Sequence, residues 1–361
     1  MNNKNTGKLL KIRNSLKKNT TVIWDKSCQD RYMVIPNNKL FGREIYNLED
    51  SKKSICKDIS SSFLVEYNNN NNFKDIDYSK SIVLKIFNGT FIKMYYWKNK
   101  WNYSTGKSIY CKNSVWKTDK TYSGCKKINN KNFFDIFKNC LNNISDNLLE
   151  EYEKQLSKKE THIFLLYSPD CINTVPFSKF EVCDHILSIS HIDKNKITFL
   201  NSIYEMENPN KELVDNFYNN EEKFSSLLIM GKDKNIIFKN KNYEIKSKLI
   251  SNIPSLDYII LKNINNKKIF LKHFPFWEKC FKDIENKINS LSFSIMKIYT
   301  EIFKKKNKKV YNHKYSGISN IIHESFLENK NILNKENVIY IIKNKVSTGV
   351  LAKLMNIKIQ L

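Results

Sequence analysis

The stretch Val83–Lys93, VLKIFNGTFIK, decides how this chain is read. β-Branched and aromatic residues run up to Phe87 and resume at Thr90, with Asn88-Gly89 between them. Runs of this kind read as two strands joined by a tight turn. Residues 81–87 (SIVLKIF), 90–97 (TFIKMYYW) and 101–105 (WNYST) are expected to be short strands, with Asn99-Lys100 as the hairpin turn between the last two. Gly89 is expected to let the backbone turn tightly after the first strand.

Further strands are expected at 162–168 (HIFLLYS), 196–200 (KITFL), 225–230 (SSLLIM) and 235–240 (NIIFKN). Residues 132–158 repeat apolar side chains at near-helical spacing, from Phe133 through Leu141 to Tyr152, and read as one helix. Past residue 262 the period changes. Phe281, Ile284, Ile288, Leu291, Ile295, Ile298 and Ile302 step by three and four, which places them on one face of a long helix after Pro275. Three more helices follow, with Asn334 and Ser347 as N-caps of the last two. The fold class is therefore α+β: a basic mobile arm over 1–20, a domain with a mixed, largely antiparallel sheet over 21–262, and an all-helical domain over 263–361. The run Asn68–Asn72 reads as a surface loop.

A net charge of +25 suggests a polyanionic partner, although the abundance of Asn, Lys and Ile also reflects an AT-rich coding sequence. The eight cysteines contain no C-x-x-C pair, and the six histidines show no metal spacing, so no metal site is expected. There is no apolar run for a signal peptide or a membrane span, and a cytoplasmic protein with reduced thiols is expected.

The chain resembles the phage and viral RNA ligase family, which seals broken tRNA anticodon loops. The resemblance runs from about residue 30 to the end and rests on segments in order: DIDYSKSIVLKIFNGTFIKMYYWKNKWNYSTGKSI, THIFLLYSPDCINTVPF, SSLLIM, IIFKNKNYEIKSKLISNIPSLDYIIL and FLKHFPFWEKCF. It implies a covalent nucleotidyltransferase fold. In that family a motif lysine takes AMP from ATP, acidic residues hold Mg2+ and ribose, and further lysines offset phosphate charge.

The chemistry-bearing positions have changed. Aligning Gly89 with the motif glycine puts Ile86 at the nucleophile and Asn88 at the aspartate. Leu165 stands at a carboxylate position, Ser225-Ser226 at a Glu-Gly pair, and Ile237 at the first of two lysines, of which Lys239 remains. Isoleucine has no nucleophilic atom. Lys85 would project to the opposite face of the strand unless a bulge re-aimed it. Without their charges, Ile86, Leu165 and Ile237 are free to pack together, each contributing about 1.5–3 kcal/mol if fully buried.

Lys93, Lys107, Lys239, Lys241, Lys246 and Lys248 stay near the former active face, and with Tyr95, Tyr96 and Trp97 nearby they suit phosphate and base contacts. The expectation is an inactive RNA ligase-like protein without cofactor that binds or shields RNA, above all tRNA. The composition suits cytoplasmic linear plasmids of yeasts, giant viruses or insect poxviruses; an immunity factor against a tRNA-cleaving toxin, of the kind carried by the first of these as killer plasmids, fits that reading. The alternatives are an active ligase that uses ATP and Mg2+ with a rehoused nucleophile, and a structural or assembly protein. No protein partner follows from the sequence.

Overall fold

The computed structural model describes residues 3–16, 20–25, 30–36, 42–51, 53–59, 63–65, 76–114, 132–168, 178, 180–192, 197–200, 204–231, 235–250, 255–307, 309, 313–329 and 334–357. The Asn68–Asn72 run and residues 169–177 lie outside them. The described residues from 3 to 246 form one compact unit and those from 247 onward a second. The division falls after Lys246 rather than at residue 262.

The first unit is mixed α and β. It opens with helix α1 (Asn3–Ser15), in the stretch where a basic mobile arm was expected. Strands β1 (Thr20–Trp24), β2 (Arg31–Pro36), β3 (Glu44–Asn47) and β4 (Ser54–Cys56) form an antiparallel N-terminal sheet in chain order. The motif sheet joins β5 (Phe63–Val65), β13 (Asn235–Lys239), β12 (Ser226–Met230) and β6 (Ile82–Ile86), with β5 and β13 parallel and the other pairs antiparallel. The central sheet has the order β11 (Ile197–Phe199), β10 (Val182–Ser190), β9 (Glu160–Tyr167), β7 (Thr90–Trp97), β8 (Lys100–Thr105), all antiparallel.

The turn between β7 and β8 is Lys98-Asn99, one residue earlier than expected. Both have positive φ, 52° and 58°, the pair of angles that a two-residue hairpin of matching twist requires. The helix expected over 132–158 is two, α2 (Phe133–Ile144) and α3 (Leu148–Gln155), because Asn147 takes φ 62° between them. The apolar period continues across the break because Leu141 and Leu149 face the same core, on one side of the central sheet. The other side of that sheet packs against the motif sheet at one end and the N-terminal sheet at the other. Helix α4 (Lys211–Asn220) covers the far face of the motif sheet, and α5 (Lys241–Ile250) follows β13.

The second unit is helical: α6 (Leu256–Lys262), α7 (Lys267–His273), α8 (Glu278–Tyr299), α9 (Ser316–Asn329), α10 (Lys335–Lys345) and α11 (Thr348–Leu354). Helix α8 packs against α6, α9 and α10. Its buried face carries Phe281, Ile284, Ile288, Leu291 and Ile295 as the spacing predicts, but then Tyr299 in place of Ile298. Beyond it, Thr300–Lys304 widens to a π-helical turn. Asn334 and Ser347 cap α10 and α11 as expected, accepting from Asn337 N and Val350 N. Among the described residues no helix is long and apolar enough to cross a membrane.

Candidate functional site

Strand β6 ends at Ile86, beside Ser226 of β12, and β12 places Leu228 beside Ile237 of β13. From the central sheet, β9 brings Leu165 to the same space. Ile86, Leu165 and Ile237 are 6%, 1% and 2% exposed and belong to one apolar cluster with Leu84, Phe87, Ile163, Tyr167 and Leu228. Phe87 sets its ring edge-on to Tyr167 at 6.2 Å and to Tyr204 at 5.8 Å.

The polar motif positions are used by the backbone. Ser225 and Ser226 are buried. The Ser225 N–H and its Oγ both donate to the Ile86 carbonyl, at 2.8 and 2.9 Å. Asn240 donates its N–H to the Ser225 carbonyl at 3.1 Å and its side-chain amide to the Phe224 carbonyl. Asn88 is half-buried in the bend after β6.

Gly89 is needed for a reason other than turn conformation. Its φ is not positive, but a Cβ there would lie 2.5 Å from the Leu166 carbonyl oxygen and 3.1 Å from Leu165 Cδ1. The glycine lets the β6–β7 connection lie directly on β9.

Lys85 pairs with Leu227, and the β6–β12 register runs unbroken from Ile82 to Ile86. No bulge re-aims it. Strand alternation sets Lys85 on the Val83 side, away from Ile86 and Leu84.

A carboxylate that the sequence reading missed stands beside this cluster. Asp184 is the cross-strand neighbour of Leu165 and accepts the Tyr204 hydroxyl at 2.5 Å. Burial, with Asp184 beside it, holds the Tyr204 phenol well above its ordinary pKa.

The six lysines proposed for RNA do not share one environment. Lys93 is a correction: it is 1% exposed. Its Nζ donates to the Arg43 carbonyl and pairs with Asp58 Oδ2 at 3.3 Å. Asp58 also accepts the backbone N–H groups of Arg43 and Ile59, each at 2.9 Å. Strand alternation turns Lys93 inward, and burial there is possible only with this set of partners.

Lys107 is exposed on the turn after β8, while Lys239 is half-buried at the end of β13. Lys241, Lys246 and Lys248 are on α5, where 241 and 248 are exposed and share a helix face. Lys246 is half-buried, and desolvation lowers its pKa against the opposing pull of Glu222. Lys248 already belongs to the second unit.

Of the three aromatics, Tyr95 is fully buried and its hydroxyl accepts from Arg31 Nη1 at 2.9 Å. Tyr96 and Trp97 are half-buried, each with a cation over its ring: Lys158 on Tyr96 at 4.7 Å, Lys98 on Trp97 at 4.7 Å. Among the described residues, no three His, Cys, Asp or Glu side chains are grouped to hold a metal ion.

No protein-family model matches this chain, and no curated protein matches it. Among solved structures it is similar to a protein described as "Putative ATP-dependent DNA ligase" from Aquifex aeolicus, with 10% identity over 94% of this chain and 88% of that one, at a TM-score of 0.33. A likeness at that score carries no argument of its own. The architecture stands on the strands and helices above: an α+β unit with largely antiparallel sheets and a helical C-terminal unit.

Proposed function

We propose that this chain is a catalytically inactive protein of RNA ligase-like fold that binds RNA, tRNA first of all, and holds it without turnover. The observation that carries the first half is the apolar cluster of Ile86, Leu165 and Ile237, at the three positions where the resemblance puts the nucleophile, a carboxylate and a phosphate-binding lysine. An amine is needed to attack the α-phosphate, and a charged lining is needed to hold ATP and Mg2+. The reading therefore requires neither cofactor. The second half is supported by the +25 charge and by exposed lysines such as Lys107 and Lys241. Holding an RNA without reacting with it shields it from a nuclease, which is how immunity against a tRNA-cleaving toxin in the cytoplasm would work.

The test has two arms. Protein incubated with labelled ATP and divalent metal should carry no label after denaturation; a labelled band mapping to Lys85 would overturn the inactive reading. In filter binding, tRNA should be retained with an affinity that falls steeply as salt rises. Lys107, Lys239 and Lys241 reversed to Glu should weaken retention of most RNAs alike, because phosphate contacts position rather than specify. Retention no better than that of an unrelated protein of equal charge would leave the structural or assembly reading as the better one.

A further inference from the structure

The motif positions lie at or against one end of the central sheet, where β7 begins and β9 finishes. At the opposite end the chemistry differs. There β7 runs out through Tyr96, β8 begins at Lys100-Trp101, β9 begins just after Lys158-Lys159, and β10 runs out into His191. Strand register sets these neighbours: Tyr96 faces Trp101, Tyr95 faces Thr161, and Glu160 faces Ser190. The His191 N–H donates to the Lys159 carbonyl at 2.9 Å, which ties the end of β10 to the start of β9.

We infer that this rim is a contact surface for single-stranded RNA, with lysines on the phosphates and Tyr96 under a base. The inference rests on the RNA-binding reading above but concerns a different surface, at the far end of the sheet from the motif.

The lysines come first. Lys100, Lys158 and Lys159 are exposed, and among the described residues no carboxylate pairs with any of them. The nearby acids are engaged elsewhere: Asp30 holds Lys98 at 2.9 Å and Arg31 at 3.5 Å, and Glu153 accepts the Tyr103 hydroxyl. Glu160 is half-buried at the start of β9 and is the one acid left to oppose them among the residues named at this rim.

The aromatics come second. Tyr96 and Trp101 are both half-buried and meet edge to face at 5.3 Å, and the Trp101 Nε1–H is fixed on the Glu153 carbonyl at 2.7 Å. The Tyr96 ring is thus held rigidly, and the group covering its face is the flexible exposed chain of Lys158. A base replaces that ammonium on the ring, and the ammonium moves onto the adjoining phosphate, so one residue pair serves both halves of a nucleotide.

His191 lies at the same rim. Burial pushes its pKa down, and Lys57, His162 and Lys53 push it further, to about 4. Its Nε2 stands 2.9 Å from Thr161 Oγ1, which also accepts the Lys57 backbone N–H.

The experiment uses the full chain, a fluorescein-labelled oligouridine, an RNA duplex of the same length, tRNA and phosphatidylserine vesicles. Wild type should bind oligouridine. Lys100, Lys158 and Lys159 together reversed to Glu should weaken that binding at least tenfold. They should also lower the slope of log affinity against log salt by about two, from about 0.7 for each lost contact to a single strand. Tyr96→Leu should weaken oligouridine binding about tenfold with the salt slope unchanged, and should leave duplex binding as it is, because only an unstacked base reaches the ring. The His191 imidazole, followed by NMR, should titrate at higher pH with oligouridine bound. Lys158→Gln is the variant that leaves the fold least disturbed, and circular dichroism controls for folding in all of them. If wild type binds oligouridine and the folded triple variant binds it equally well, the rim is not the site while the RNA reading stands. Binding to tRNA but not to oligouridine, or to vesicles but not to RNA, also overturns the rim. Binding to none of the RNAs above an unrelated protein of equal charge overturns both readings.

Discussion

Strand β7 sends Phe91, Lys93 and Tyr95 to the same side of the central sheet, and the space they enter changes along the strand. Phe91 packs against the apolar cluster that holds Ile86 and Leu165. Lys93, about 7 Å further along, is buried more deeply than Phe91, yet it enters a charged setting of Asp58 and the Arg43 carbonyl. Tyr95 then closes an apolar cluster again, against Met33 and Ile45 of the N-terminal sheet. Two interiors on one strand thus treat charge in opposite ways. An ammonium survives burial where a carboxylate and carbonyls meet it, and is excluded where they do not. By the same rule a single charge placed among Ile86, Leu165 and Ile237 is a cost unless partners accompany it.

The sharpest way to break the comparison is Ile86→Lys. It forfeits the buried isoleucine and puts an ammonium among apolar side chains, with the nearby Asp184 already held by Tyr204, so it is expected to cost about 5 kcal/mol or more, or to abolish folding, as read by urea denaturation. A stable Ile86→Lys protein would mean that the space is wetter than its neighbours indicate. Asp58→Ala does the converse at the other site and strands Lys93; a loss of about 3–5 kcal/mol is expected, with Lys93→Met in the same background recovering part of it.

Acid should act through the histidines next. Burial and the neighbouring His162 hold His185 near a pKa of about 3, and His191 stands at about 4, both below the ordinary 6.5. The unfolded chain therefore binds more protons than the folded one between pH 6.5 and 3. Stability contributed by the neutral imidazoles is full above 6.5 and is lost as pH falls through that window. About 2 kcal/mol is expected between pH 7 and 4 after allowing for partial exposure, and His185→Phe should flatten the slope. Gly89→Ala is expected to cost about 1–3 kcal/mol, since the added methyl meets a backbone carbonyl at 2.5 Å. Lys85→Ala should change stability by no more than about 0.5 kcal/mol and leave RNA retention as it was, since this side chain belongs to neither interior.

Strands with long β-branched runs, β6 to β9 and β12 to β13, are legible in the sequence, as are the capped helices α10 and α11. The N-terminal sheet is not, because polar residues and turns interrupt its strands, as in TTVIW, EIYN and SIC. Strand β10 hides for another reason. Asp184, His185, Ser188 and Ser190 give it a polar look, and the partners that make their burial affordable come from elsewhere in the chain, with Tyr204 on Asp184 and His162 on Ser188 at 2.7 Å. Ile86, Leu165 and Ile237 are singled out only by the resemblance, and their packing together follows from side-chain type. Lys93 cannot be sorted that way. Its partners, Asp58 and Arg43, lie 35 and 50 residues away, around a sheet that local pattern does not reveal.

The pairing within the motif sheet has a consequence during synthesis. Ile86 is fastened to Ser225, which lies 139 residues later in the chain. While the ribosome makes that interval, β6 has an open edge and an apolar face with nothing from β12 or β13 to cover it. Contacts of such long sequence separation form slowly, and unpaired strand edges associate with other chains while they wait. The helical unit closes over shorter separations, the longest from α6 to α11, and waits less. The nascent first unit is thus a natural client for chaperones, and conditions that slow translation across residues 86–225 should lower the soluble yield more than equal slowing after residue 247.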